Sequence, residues 1–228
     1  MTTALLAGFG PFPGAPQNPS AALVRALIKR RRPTLADVRI VAAVLPTSYA
    51  AVFDELPALL KLHAPEIVLF FGLAARTRFL RIERRAVNRA TGFYPDVTRK
   101  KLAARALFPG SAAELCVRAN AVRLAAAARA TQIDARLSRD AGRYICNAAL
   151  YRTLIASEQQ GRPRRVAFVH IPRPRGRTPA GAKRGRPRPT MDALVRAGEA
   201  VLATLLAEAR VPRPTPALGR GRAGVQSN

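Results

Sequence analysis

Tryptophan is absent from this chain of 228 residues, which also has only two cysteines, two histidines and 13 acidic side chains. Each shortage excludes something. Cys116 and Cys146 cannot build the disulfide scaffold on which small exported domains rely, so a reducing, cytoplasmic setting is expected. The two histidines, His63 and His170, and the scattered cysteines show no zinc-ligand spacing, and no metal is implied. No run reaches the 18 or more consecutive apolar residues of a membrane span, so a soluble protein with no membrane role is expected. The opening MTTALLAGFGPFPG lacks a basic leader followed by a long apolar stretch and reads as a first strand, not a signal peptide.

The shortage of acids leaves a surplus: 39 Lys and Arg against 13 Asp and Glu give a formal charge of +26. Such a balance makes nucleic acid or another polyanion a candidate partner. The charge is dense at KRRR, Lys29–Arg32, and between Arg162 and Arg188, where ten Lys or Arg occur with no acid. Yet aromatic interleaving is poor, and no zinc finger, helix-turn-helix signature or RNA-binding sheet motif is evident. Hydrophobic residues, at 49%, suffice for a core and exclude disorder throughout.

The apolar pattern alternates between strand and helix. Ala4–Phe9 reads as a strand, Ser20 as the cap of a helix to about Arg31, Val38–Leu45 as a strand and Tyr49–Leu62 as a helix. Glu66–Gly72 (EIVLFFG) carries a continuous apolar run after its first residue, as suits a strand covered on both faces. Phe79–Asn88 alternates like one further strand, and Ser111–Ala130 is rich enough in Ala and Leu to predict a helix that buries Cys116. A short strand is expected at Asp134–Ser138, a helix from Cys146 to about Ala156, a strand at Val166–Ile171 and a last helix at Met191–Ala209. His63 falls near a helix end and reads as a capping or surface residue. This order predicts one α/β domain over residues 1–210, with a basic Pro/Gly/Arg-rich loop at 173–189 and a flexible basic tail at 211–228.

Three residues carry candidate chemistry. Cys146 lies at a loop-to-helix boundary, where a helix N-terminus would favour a thiolate and backbone N–H groups would receive an oxyanion. His170, at a strand end, has the chemistry of a general base, and Glu83 that of a group fixing its tautomer. Taken singly, Cys146 also reads as a small buried hydrophobe, His170 as a structural hydrogen-bonding residue and Glu83 as a salt-bridge partner among Arg81, Arg84 and Arg85. Spacing alone leaves these alternatives open.

Four segments, in order, resemble pyroglutamyl peptidase I (pyrrolidone-carboxylate peptidase), a family of cysteine exopeptidases. GFGPFPGAPQNPS, Gly8–Ser20, looks like the family's GFxPFxG motif followed by NPS. GLAARTRFLRIERRAVN, Gly72–Asn88, resembles the segment that bears the acidic triad member, here Glu83, with Arg84 and Asn88 as its neighbours. AGRYICNAALY, Ala141–Tyr151, resembles the nucleophile motif, with Cys146 beside Asn147. FVHIP, Phe168–Pro172, looks like the histidine motif, and PTM, Pro189–Met191, like the lead into the last helix.

The resemblance implies a phosphorylase/hydrolase-like three-layer α/β/α domain with a mixed central sheet. It also implies removal of an N-terminal pyroglutamyl residue from peptides through a thioester, without a cofactor. It assigns the nucleophile to Cys146, the base and acid to His170 and the orienting carboxylate to Glu83, with oxyanion or loop support from Cys146, Asn147 and Arg84. Phe9, Phe12 and Asn18 fall on its substrate pocket. A dimer or tetramer is a further implication. Where many members carry an acidic stretch, an arginine and Pro-Asp-Asn, this chain has RATGFYPDVTRK, Arg89–Lys100, in which only Pro95 and Asp96 match. Two alternatives accompany the peptidase reading: a divergent or inactive member that binds polyanions or nucleic acid, suggested by Lys29–Arg32 and the basic stretch Arg162–Arg188, and a thiol hydrolase of altered specificity, suggested by the changed segment after Asn88.

Overall fold

The computed structural model describes residues 1–30, 37–102, 105–175 and 188–211. Most of the basic loop and nearly all of the tail expected from the sequence lie outside the described residues. Among the described residues eight strands and five α-helices follow in the order β1 (Thr2–Phe9), α1 (Pro19–Lys29), β2 (Val38–Leu45), α2 (Leu56–His63), β3 (Ile67–Leu73), β4 (Leu80–Glu83), β5 (Arg85–Val87), β6 (Glu114–Cys116), α3 (Ala121–Ala130), β7 (Ala135–Ser138), α4 (Ile145–Gln160), β8 (Arg165–Ile171) and α5 (Met191–Arg210). A π-helical turn, Ala51–Glu55, leads into α2.

Six strands form one mixed sheet in the order β2-β1-β3-β8-β4-β7. The first four are mutually parallel, whereas β4 runs antiparallel to β8 and carries β7 parallel to itself. Period-two alternation sorts the apolar residues onto two faces. Ile67, Leu69 and Phe71 of β3 pack with Leu23, Leu124 and Leu205, so α1, α3 and α5 cover one face. Val68 and Phe70 pack with Leu56, Leu60, Leu150 and Leu154 of α2 and α4 on the other. The run Ile67–Phe71 is apolar without alternation because neither face of β3 meets water.

Two elements depart from the sequence expectation. Phe79–Asn88 is not one strand: β4 belongs to the main sheet, while β5 pairs with β6 in a separate two-stranded sheet. The switch occurs at Arg84, whose N–H donates to Ser138 O at 2.7 Å while its carbonyl accepts from Val117 N at 3.0 Å. Nor is Ser111–Ala130 one helix. Asn120 caps α3 by accepting from Arg123 N, and Cys116, expected in a buried helix, lies exposed on β6. A long-range ladder to β5 outweighs local helix propensity there.

Candidate active site

The loop after β1 is held at both ends. Gly8 is required because a Cβ there would lie 2.7 Å from Ser20 O, so the strand end and the start of α1 can approach only without a side chain. Asn18, not Ser20, caps α1: its Oδ1 accepts from Ser20 N and Ser20 Oγ, and its Nδ2 donates to Gly10 O at 3.0 Å. Every polar atom of the Asn18 side chain is thus engaged within the loop. Phe9 lies beneath it, 1% exposed, with its ring stacked on Phe70 and Phe168 at 6.4 and 6.1 Å. Phe12 is half-buried at a bridge to Ala15.

His170 is the penultimate residue of β8, opposite Gly72 of β3 on one side and Arg81 of β4 on the other. Because side chains alternate, Glu83, two residues beyond Arg81, emerges on the same face. Glu83 Oε1 lies 2.8 Å from His170 Nδ1 and 3.3 Å from Arg81 Nε. The carboxylate is 1% exposed, and its Oε2 takes no hydrogen bond among the described residues. Beside a carboxylate, Nδ1 carries the proton and donates it, which leaves Nε2 as the basic nitrogen. Arg81 also donates to Ser138 Oγ, which fixes its fork along β4.

Cys146 reaches this face from the first turn of α4. Its Sγ lies 3.0 Å from where a Gly72 Cβ would stand, and two Phe168 ring carbons lie 2.8 Å from the same point. Strand β3 therefore presents a gap at Gly72, next to His170 in register, and the thiol occupies its edge. Burial, and then the nearby Glu83 charge, push the Cys146 thiol up to about 12, against a backbone hydrogen bond that favours the thiolate. A thiol pushed up in this way needs a base to become nucleophilic. Tyr144, the N-cap of α4, offers no side-chain cap, so N–H groups of the first turn stay free of a capping acceptor.

The residue after the thiol is a brace. Asn147, fully buried, accepts from Val87 N and donates to Val87 O and Arg89 O, which ties β5 and the following segment to α4. Arg84 is exposed and supports the same region through its backbone alone. Asn88 holds the 105–111 segment by bonding Phe108 N, Phe108 O and Ser111 O.

Sequence reasoning missed two contributors. Arg81 is one of several cations near Glu83 in the sequence, yet in the fold it shares Oε1 with His170. Asp96, 2% exposed, accepts from Tyr49 N, Thr98 N, Thr98 Oγ1 and Lys100 N, and so fastens the unusual Arg89–Lys100 segment to the core. Burial pushes its carboxyl up, but these hydrogen bonds together outweigh it and hold the group below its ordinary value. Tyr144 reinforces the attachment by donating its hydroxyl to Pro95 O at 2.9 Å. The local signal was the spacing Asp96-x-Thr98, which favours a turn closed by the carboxylate.

Among the described residues no group of three or more His, Cys, Asp and Glu is arranged to hold a metal ion, and no helix is long and apolar enough to cross a membrane.

A sequence model described as pyroglutamyl peptidase matches residues 2–208. The pyrrolidone-carboxylate peptidase of Clavibacter michiganensis subsp. michiganensis is 35% identical over 210 residues, covering 92% of this chain and 95% of that protein. That of Thermococcus kodakarensis is 30% identical over 168 residues, covering 74% and 80%. The crystal structure of pyrrolidone carboxyl peptidase from Pyrococcus furiosus superposes with a TM-score of 0.81 at 25% identity, covering 91% of this chain and all of that one.

Proposed function

Because the chain belongs to the pyroglutamyl peptidase family, we propose that it is a cysteine exopeptidase that hydrolyses the amide bond after an N-terminal pyroglutamyl residue, with Cys146, His170 and Glu83 as its catalytic set. The observation that carries the assignment of roles is the 2.8 Å bond from His170 Nδ1 to Glu83 Oε1 beside a thiol seated at the side-chain-free Gly72. His170 Nε2 takes the thiol proton as Sγ attacks the pyroglutamyl carbonyl. Free N–H groups in the first turn of α4 receive the oxyanion, where the helix dipole adds to their effect. The imidazolium, stabilised by Glu83, then protonates the departing amine. Water, deprotonated by the same nitrogen, opens the thioester, releases pyroglutamate and restores the thiol.

The lactam is flat and carries no ammonium, so its site calls for apolar walls with a few polar partners. Phe12 serves as a wall and Phe9 as a floor behind Phe168, with Asn18 as the brace that shapes the loop. Residues 1–210 act as one catalytic domain. Two unpaired cysteines suit a reducing cytoplasm. The formal +26 supports nonspecific, salt-screened contact with polyanions as a side property, and family likeness supports self-association.

The test is a paired assay on a pyroglutamyl arylamide. Wild type releases the arylamine, whereas a folded Cys146→Ala variant gives none. An inert wild type, or an equally active variant, removes the assignment.

A further inference from the structure

A cleft of about 680 Å³ opens between the Val87–Tyr94 segment and the Arg139–Tyr144 segment, the second of which leads into the helix that carries Cys146. Both walls are tied to the start of α4. Asn147, next to Cys146, holds Val87 and Arg89. Thr91 N donates to Arg143 O at 2.7 Å. Gly142 and Tyr144, four and two residues before the thiol, line the cleft.

Its charge is one-sided. Arg85, Arg89, Arg139 and Arg143 all line it, against a single lining acid, Asp140. Arg85 is neutralised by Glu114, and Asp140 accepts from Gly142 N. Arg89, Arg139 and Arg143 are exposed, and none of them enters an ion pair among the described residues. Like charges crowded around one concavity cost free energy unless an anion joins them, and low-dielectric walls focus their field.

We propose that this cleft takes the residues that follow the scissile bond and selects peptides with Asp or Glu immediately after the pyroglutamyl group. The inference rests on the exopeptidase reading. An enzyme that removes one N-terminal residue places all remaining chain on the far side of the scissile carbonyl. With the ring held by the Phe9 and Phe12 loop, which does not line the cleft, the remaining chain is assigned to the cleft whose walls Tyr144 and Asn147 tie to the start of α4. Carboxylates there meet guanidinium groups able to form forked, charge-assisted bonds. A lysine in the same place meets repulsion, so selection comes from rejection as much as from attraction.

The experiment uses fluorescent peptides that differ only in having Asp-Glu, Ser-Gln or Lys-Lys after pyroglutamate. Their binding to the full-chain Cys146→Ala protein is followed by anisotropy at low and high salt. The acidic peptide should bind about tenfold more tightly than the lysine peptide at low ionic strength, and the gap should shrink severalfold as salt is raised. In the Arg89→Ser/Arg143→Ser variant, with folding checked by thermal melting, the ratio should fall towards one. The exposed Arg139→Ser change gives a second variant for which the ratio should fall in part. Equal binding of the three peptides, or an unchanged ratio in the variants, overturns the proposal. So does tighter binding of a single-stranded oligonucleotide than of the acidic peptide, which would make the cleft a nucleic-acid surface. Turnover of the arylamide, which has no downstream peptide, is read in parallel on wild type and reports the exopeptidase reading alone.

Discussion

The Cys146 thiol fits against β3 because Gly72 has no side chain: a methyl group there would stand 3.0 Å from Sγ and 2.8 Å from the Phe168 ring. Real carbons do not approach so closely in cores packed like crystals, so an alanine must displace the thiol, the ring or the strand. Gly72→Ala should lower kcat on the arylamide by about 10²-fold, since displacing a reacting atom by about 1 Å costs that much. It should also destabilise the fold by about 1–3 kcal/mol through overpacking. Kinetics and denaturant unfolding check the two effects separately. Full activity in the alanine variant would place the reacting sulfur elsewhere.

In the proposed mechanism Glu83 orients His170, with which it shares a 2.8 Å bond. Glu83→Gln keeps the size of the group but can offer an amide N–H where the imidazole N–H must donate, which favours the wrong tautomer. The expected loss is about 10³ to 10⁴ in kcat with KM nearly unchanged. A purely structural role would predict loss of stability with the pH profile intact, so the pH dependence of kcat/KM is the deciding measurement. Arg81, which shares Oε1, should give a smaller loss in kcat on Arg81→Met.

Much of this site was legible because its parts are local. EIVLFFG announces a strand covered on both faces, and a cysteine after a turn-like Asp-Ala-Gly announces a helix start. What was not legible is long-range. The pairing of Arg85–Val87 with Glu114–Cys116 spans almost thirty residues, and no propensity near Cys116 reports it. The adjacency of Gly72 and Arg81 to His170 arises only when β8 inserts between β3 and β4. Asp96 looked like one weak match in a divergent segment, yet it is the residue that fastens that segment to the core at Tyr49.

Asp96 should reveal itself in acid. Its carboxyl lies below the ordinary value when folded, so the charged form is favoured by the native state. The stability it supplies is complete above about pH 4, the unfolded value, and drains away as pH falls through the lower folded one. Wild type should therefore lose stability more steeply below about pH 4 than Asp96→Asn, read as denaturant midpoints across pH. Near neutrality the asparagine variant should be weaker by about 1–3 kcal/mol, because N–H donors of Tyr49, Thr98 and Lys100 lose a charged acceptor. Parallel curves in acid would assign the anchoring to another group.

The two thiols should separate by reactivity. Cys116 is exposed on β6, whereas the Cys146 thiol is pushed up to about 12 by burial and then by Glu83. Only the thiolate is nucleophilic, so at about pH 8 iodoacetamide should modify Cys116 first. In a Cys116→Ser protein, the remaining alkylation of Cys146 should be slow near neutrality and should keep rising through about pH 9 to 11 without a plateau. His170→Ala should lower the neutral-pH rate further, because the base that draws off the proton is gone. A plateau reached below about pH 8 would mean a thiolate and imidazolium already paired at rest. His170 would then enter the reaction as an acid alone, and the proton transfer that accompanies attack would have to be discarded.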